Sequence, residues 1–185
     1  MSGPMNEALK QRLAEFEVDP DVKVVVLTGA GKGFCAGGDV KGMNAANNGG
    51  DGRSATLDER IASQRINQRA TSGKLFRMPK PTIAALPGAA AGAGLSLALA
   101  CDMRIMASNA ILTTAFARVG FSGDYGGTYF MTQLIGSAKA RELYYLSDRV
   151  SAEEALALGL QQGFRPGQAG GVGAVEYRPE RSEQH

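Results

Sequence analysis

The chain has 185 residues, of which 44% are hydrophobic, and carries a formal net charge of +2. This length suffices for one globular domain with a substantial core and hardly for two. Because no basic block stands out, the composition favours neither a nucleic-acid partner nor a membrane surface.

The sequence predicts a location in the cytoplasm. The longest apolar run, near residues 83–101, is interrupted by Pro87 and several glycines, so it is not a membrane span. The N-terminus lacks a signal-peptide pattern. Cys35 and Cys101 show no metal-ligand spacing and need not pair, and Cys101 is expected to be a small buried hydrophobe. No metal site is predicted.

The first part of the chain predicts a helix, a strand and a glycine-rich loop. Apolar residues recur at helical spacing over residues 5–17. Residues 22–27 form a β-branched run bounded by turn residues, which is typical of a strand buried on both faces. The loop 28–39 follows at once, and its glycines leave the backbone open to a ligand. Residues 44–56 are rich in Gly, Asn, Asp and Ser and predict a mobile surface loop.

Short apolar runs and helical periodicities alternate through the next part of the chain. They predict helices over 57–77, 128–135, 138–146 and 152–158, and strands over 80–86, 103–107 and 110–116. This alternation indicates the α/β class. Beyond Leu160 the chain has five glycines, two prolines and almost no spaced apolar residues. We therefore expect a core of residues 1–160 and a disordered tail over 161–185.

The central stretch, residues 86–102, predicts a strand, a tight glycine turn and the start of a buried helix. From Gly88 to Gly94 no side chain is larger than a methyl group, so another molecule could approach the backbone closely. The N–H groups of the first helical turn have no partners within the helix and would suit a developing oxyanion. Close packing of a strand against a buried helix explains the same small residues equally well.

Three other glycine-loop chemistries fit less well. A dinucleotide-binding turn would need a helix start after residue 33, where another glycine pair and Asp39 follow. A phosphate-binding P-loop would need Ser or Thr after Lys32, where Gly33 stands. Serine hydrolysis through Ser96 has no histidine inside the predicted core, because the one histidine is the last residue of the chain.

Four motifs, in their order and spacing, resemble those of the enoyl-CoA hydratase/isomerase (crotonase) superfamily. They are FCAGGDVK (34–41), PGAAAGAGLSLALACD (87–102), DYGGT (124–128) and LSDRVSAEEALALGL (146–160). The resemblance covers roughly residues 5–160. It implies a spiral of ββα units, an acyl-CoA thioester as substrate, and homotrimers or dimers of trimers. Coenzyme A would be part of the substrate, and no separate cofactor is implied.

The resemblance also implies roles for individual residues. The two N–H groups of an oxyanion hole fall on Gly38 and Ala93. Ala36 and the segment Asp39, Val40 and Lys41 match the stretch with which family members bind CoA. Asp39 could instead cap a helix, and Lys41 could be a solvated charge.

The acid–base positions depart from the hydratase pattern. Hydratases of the family use two glutamates, and their positions hold Ser96 and Phe116 in this sequence. Phe116 is therefore expected to line the substrate pocket. Asp124 matches the place where some isomerases and a dehalogenase of the family have a catalytic aspartate, and an apolar pocket that includes Phe116 and Phe121 should raise its pKa. A plain turn aspartate is the alternative.

The resemblance implies segments that this sequence does not show. Family members have a pair of strands before the part that resembles residues 5–7, and helices after the part that resembles residues 152–158. Two hypotheses follow. The chain is an enzyme that stabilises the enolate of an acyl-CoA for double-bond isomerisation or hydration, or it is a truncated, inactive relative that retains at most CoA binding.

Overall fold

The computed structural model describes residues 1–38 and 56–165. The helices are α1 (Gly3–Val18), α2 (Leu57–Ala70), α3 (Ser72–Phe76), α4 (Ala93–Ala100), α5 (Gly127–Ile135), α6 (Ser137–Leu146) and α7 (Ala152–Ala157), with a 3-10 turn at Ala117–Val119. The strands are β1 (Val25–Thr28), β2 (Thr82–Leu86), β3 (Ala90–Ala91), β4 (Met103–Ala107), β5 (Ile111–Thr113), β6 (Val150–Ser151) and β7 (Gly163–Arg165). The predicted α/β class is confirmed.

The strands form two sheets. The first has the order β1-β2-β4-β7, and all of its pairings are parallel. The second has the order β3-β5-β6, with β3 and β5 parallel and β5 and β6 antiparallel. Parallel neighbours need crossover connections, and helices of the described chain supply several of them. Strand β2 of the first sheet is followed by β3 of the second, and β3 lies directly before α4.

Helix α4 is the centre of the core. Every one of its residues is buried, as the run of alanine and leucine predicts. Leu97 and Ala98 pack in one apolar cluster with Met106 of β4 and Leu112 of β5. A helix that is apolar on all sides has no solvent-facing surface and must be enclosed by other elements. This enclosure holds the first turn of α4 in a defined place.

Strand β1 differs from its prediction. It is an edge strand that pairs with β2 alone within the described residues, and Val25 is buried while Val26 and Leu27 are only half-buried. Val24, just before it, is 44% exposed. A β-branched run shows that a segment is extended, but it does not reveal how many neighbours cover it.

The predicted core boundary at Leu160 is wrong. Residues 163–165 form β7, which pairs in parallel with Ile105–Ala107 of β4. Gln161 is 2% exposed, and its Nε2 donates to the carbonyl oxygen of Ala152 at 2.8 Å. The side chain of Gln162 accepts from the backbone N–H of Arg104 at 2.8 Å. Hydrogen bonds therefore order this segment, although it has few apolar groups to bury. Residues 166–185 of the predicted tail lie outside the described residues.

Candidate active site

The two glycine-rich turns of the sequence lie side by side. The backbone N–H of Phe34 donates to the carbonyl oxygen of Ala89 at 3.0 Å, and the N–H of Ala91 donates to that of Cys35 at 2.9 Å. Gly37 comes next, with a φ of +96°, and a Cβ there would lie 3.6 Å from the backbone nitrogen of Ala93. The fold thus places the loop that carries Gly38 beside the first residue of α4.

Two glycines of the central turn are required by this packing. A Cβ on Gly88 would lie 2.0 Å from the carbonyl oxygen of Lys32, and one on Gly94 would lie 2.4 Å from that of Cys35. Both contacts are with backbone atoms, which cannot move aside. The glycines at 88 and 94 therefore make room for the neighbouring loop and not for a ligand. Close packing therefore explains the glycines at 88 and 94. The segment that packs against them is the loop 32–38, whereas the sequence suggested strand β2.

The first turn of α4 begins with N–H donors that have no acceptor within the helix. Its N-cap residue, Gly92, has a φ of +53° and provides no side-chain cap. The next backbone N–H belongs to Ala93, and the first N–H groups of any helix have no acceptor within the helix. The positive end of the helix dipole adds to their attraction for negative charge. The neighbouring residues Ala36 and Gly38 are exposed, whereas Asp39, Val40 and Lys41 lie outside the described residues.

Asp124 lies in the loop before α5 and is partly buried. Burial raises the pKa of its carboxyl group to about 6. Its Oδ1 atom is buried and has no hydrogen-bond partner among residues 1–38 and 56–165. The backbone carbonyl of Asp124 accepts from the Ser96 hydroxyl at 3.1 Å, and Ser96 belongs to the first turns of α4. Asp124 is therefore held against the same helix whose first residue is Ala93.

A group of polar side chains surrounds this loop, and sequence reasoning missed most of it. Tyr125 is buried, and its pKa is raised by burial and by the charge of Asp124, against the effect of a hydrogen bond with Asn6. Tyr144 is also buried, and its pKa is raised by burial first, while a hydrogen bond with Ser96 opposes the shift. Asn6 lies in a segment already singled out by the family resemblance. Tyr144 falls within a helical pattern and has no sequence signal of its own.

Of the two aromatic residues expected around Asp124, Phe116 is buried and Phe121 is not. Phe116 is 7% exposed, and its ring stacks on that of Tyr144 with centroids 6.1 Å apart. A Cβ on Gly92 would lie 3.8 Å from the Phe116 ring, which places this ring beside the N-cap of α4. Phe121 is 56% exposed and is not a buried wall of the pocket.

Cys101 is a buried thiol, as its place in the apolar central stretch predicts. Both cysteines are free thiols, and burial raises the pKa of Cys101 to about 12, so it stays protonated as a buried hydrophobe. Within residues 1–38 and 56–165, no three His, Cys, Asp or Glu side chains cluster as metal ligands would.

No helix in the described part of the chain has the length and apolar character needed to span a membrane.

Comparison with known proteins gives one consistent family. The model of the enoyl-CoA hydratase/isomerase family matches residues 1–169. The chain is 36% identical over 151 residues to the 1,2-epoxyphenylacetyl-CoA isomerase of Escherichia coli, covering 82% of this chain and 55% of that protein. It is 35% identical over 152 residues to the short-chain-enoyl-CoA hydratase of Clostridium acetobutylicum, covering 80% of this chain and 53% of the relative.

Solved structures agree with this result. An enoyl-CoA hydratase from Bacillus anthracis superposes with a TM-score of 0.77 at 34% identity, over 90% of this chain and 61% of that one. The chain spans between about half and three fifths of the length of these relatives. The α/β architecture is the crotonase fold that the sequence motifs predict. From the matched motifs, the shared fold and the family model, we conclude that the chain belongs to the enoyl-CoA hydratase/isomerase (crotonase) family.

Proposed function

We propose that the chain binds an acyl-CoA thioester, stabilises its enolate and moves a proton along the acyl group, so that a double bond is isomerised. One observation carries the proposal. A partly buried carboxyl group, that of Asp124, has a pKa raised to about 6 and a buried oxygen without a partner, on a loop bonded to the first turns of α4. Two relatives, an isomerase and a hydratase, are named for CoA esters.

The thioester oxygen would lie between the backbone N–H groups of Gly38 and Ala93. Support comes from the side-by-side turns, since a Cβ on Gly37 would be 3.6 Å from the Ala93 nitrogen. As the enolate forms, the oxygen gains negative charge, and two fixed donors stabilise it more than the neutral substrate. Loss of one such donor typically lowers a rate by about 100- to 1,000-fold.

Asp124 would carry the proton. A carboxyl group with a pKa near the working pH can both accept a proton and return it, which is the requirement for acid–base catalysis. Oδ1 makes no bond that a substrate proton would have to break. One carboxyl group can take a proton from one carbon of the acyl chain and deliver it to another. Ser96 is not a second base, because a neutral serine hydroxyl is a very weak base and its one proton is shared between the carbonyl oxygens of Gly92 and Asp124.

This arrangement favours isomerisation over hydration. Addition of water requires that a water molecule be held and deprotonated while the acyl chain receives a proton. At the second glutamate position of the hydratases, this chain has the phenyl ring of Phe116, which cannot exchange a proton. The ring is instead suited to contact the acyl group.

The remaining parts of the proposal concern the surroundings of the site. The CoA part of the substrate would contact Ala36, Asp39, Val40 and Lys41. Coenzyme A would enter as part of the substrate, and no separate cofactor would be required. The active form would be a homotrimer or hexamer in the cytoplasm, acting in fatty acid metabolism, without nucleic acid or membrane partners.

Hydrogen exchange tests the central step without knowledge of the natural acyl group. The purified chain is incubated in D2O with butyryl-CoA, and deuterium at the carbon next to the thioester is measured by mass spectrometry. Enolate stabilisation predicts exchange above the rate without protein. A parallel assay follows interconversion of 2-enoyl-CoA and 3-enoyl-CoA. Binding of butyryl-CoA by calorimetry without exchange would reject the enzyme and favour a relative that only binds CoA.

A further inference from the structure

We infer that Tyr144 is a positioning residue that fixes the Asp124 loop against the start of α4. The inference deepens the proposed function and rests on it, since the loop matters to chemistry only if Asp124 moves a proton. Tyr144 lies in α6, a helix that contributes none of the site residues predicted from the sequence. Its side chain nevertheless lies close to Phe116, to the loop 123–127 and to Ser96 in the first turns of α4.

The ring of Tyr144 determines the space left for the loop. It stacks on Phe116 with an angle of 6° between the ring planes. A Cβ on Gly123, which has a φ of +116°, would lie 2.9 Å from Cε1 of this ring. The loop that carries Asp124 thus passes so close to the tyrosine ring that a residue with a Cβ at position 123 would collide with it.

The hydroxyl of Tyr144 lies beside that of Ser96, whose interaction with it opposes the rise in the tyrosine pKa. The Ser96 hydroxyl in turn shares its one proton between the carbonyl oxygens of Gly92 at 3.3 Å and Asp124 at 3.1 Å. Gly92 is the N-cap residue directly before Ala93. The same two hydroxyls enclose Gly127, where a Cβ would lie 2.3 Å from Ser96 Oγ and 2.5 Å from the tyrosine oxygen. Tyr144 therefore packs against the serine that links the loop of the proposed base to the residue before the proposed oxyanion donor.

The raised pKa of Asp124 reports on this arrangement. The shift arises from burial, so any loosening of the loop that admits water should return the pKa toward its ordinary value. The titratable groups that feel the charge of Asp124 are the phenols of Tyr125 and Tyr144, which stay neutral near pH 7 because burial raises both of their pKa values. Neither phenol therefore changes its charge in the pH range in which the carboxyl group titrates.

The experiment replaces Tyr144 with Phe, which keeps the stacked ring and removes only the hydroxyl. Tyr145→Phe is the matched control, because Tyr145 is the next residue of the same helix and is 75% exposed. The Asp124 carboxyl is titrated by NMR in protein labelled with ¹³C at aspartate, and its signal is assigned by its loss in Asp124→Asn. Where turnover is measurable, kcat and KM are determined across the same pH range.

We expect Tyr144→Phe to lower the titration midpoint of Asp124 by about half to one pH unit as water enters the loop. We expect kcat to fall by roughly tenfold with KM little changed, since a small displacement of a reacting group costs rate more than binding. Tyr145→Phe should leave both values as in the unmodified chain. Ser96→Ala should reproduce the shift, and it provides the measurement if Tyr144→Phe does not fold.

An unchanged midpoint in Tyr144→Phe, or in Ser96→Ala where that variant provides the measurement, overturns the inference whatever the rate does. An equal shift in Tyr145→Phe overturns it as well. Because the titration needs no substrate, the two proposals can fail separately. A shifted midpoint in a chain that shows neither exchange nor turnover would support the link through Tyr144 and count against the proposed function.

Discussion

The hydroxyl of Ser96 donates to the backbone carbonyl of Asp124 across 3.1 Å and 28 residues of sequence. This bond joins the first turns of the central helix α4 to the loop that carries the candidate base. The relative position of carboxyl group and helix start is therefore a property of the core and not of a free surface loop.

Asp124→Asn should abolish proton transfer while it stabilises the fold at neutral pH. The rate of exchange or isomerisation should fall by about 100-fold or more, because a neutral amide cannot accept the proton. In the unmodified chain, activity should fall as pH decreases through about 6, where Asp124 becomes protonated. Rates equal to those of the unmodified chain would assign the chemistry to another group.

The stability of Asp124→Asn provides an independent check. The folded-state pKa is raised, so the stability that protonated Asp124 contributes is present below the ordinary value of 3.8 and lost as pH rises through about 6. At pH 7 the variant should be more stable by about 1 to 2 kcal/mol, a value discounted for the partial exposure of the group. At pH 4 this advantage should nearly vanish. Urea denaturation at both pH values measures the difference in the free energy of unfolding. A stability gain that does not depend on pH would contradict the assignment of Asp124 as a buried carboxylate without a partner.

Gly94→Ala should destabilise the fold strongly. A methyl group there would lie 2.4 Å from the carbonyl oxygen of Cys35, so one of the two turns must move. We expect a loss of more than about 2 kcal/mol in the free energy of unfolding, together with loss of acyl-CoA binding. Gly31→Ala is the matched control, because a Cβ at Gly31 meets nothing within 4 Å. Similar stabilities of the two variants would show that the turns do not pack as described.

Ala93→Val should weaken binding of acyl-CoA. Ala93 is 3% exposed and begins α4, so a branched side chain would crowd the thioester and restrict the turn. Calorimetric titration with butyryl-CoA measures the change. Ala138→Val, at an exposed position of α6, controls for the lower helix propensity of valine. Unchanged affinity of Ala93→Val would place the thioester elsewhere.

Removal of residues 161–185 should lower the melting temperature by several degrees. The deletion takes away β7 and the buried bond from Gln161 to Ala152, and each buried hydrogen bond contributes on the order of 1 kcal/mol. Deletion of residues 166–185 alone is the control, and the composition of that segment predicts a nearly unchanged melting temperature. Equal melting temperatures for both shortened chains would restore Leu160 as the boundary of the core.

The sequence by itself determined the elements and the family. Periodicity predicted the α/β class and the buried helix α4, because hydrophobic spacing reflects which faces are covered. Motifs such as PGAAAGAGLSLALACD predicted the crotonase fold, since glycines at fixed spacing record backbone approaches that admit no side chain. Asp124 was singled out through the same family resemblance, at the place where some isomerases of the family have a catalytic aspartate.

Only the tertiary structure decided which residues are in contact. Among the described residues, strand β1 is an edge and Gln161 is buried, because the number of neighbours and the partners of a polar side chain are long-range properties. The same holds for Tyr144, an ordinary position in a helical pattern whose ring and hydroxyl meet Phe116 and Ser96 from distant parts of the chain. Local sequence sets which segments form helices and strands, whereas the surroundings of a carboxyl group, and hence its pKa, depend on contacts that exist only after those segments have packed.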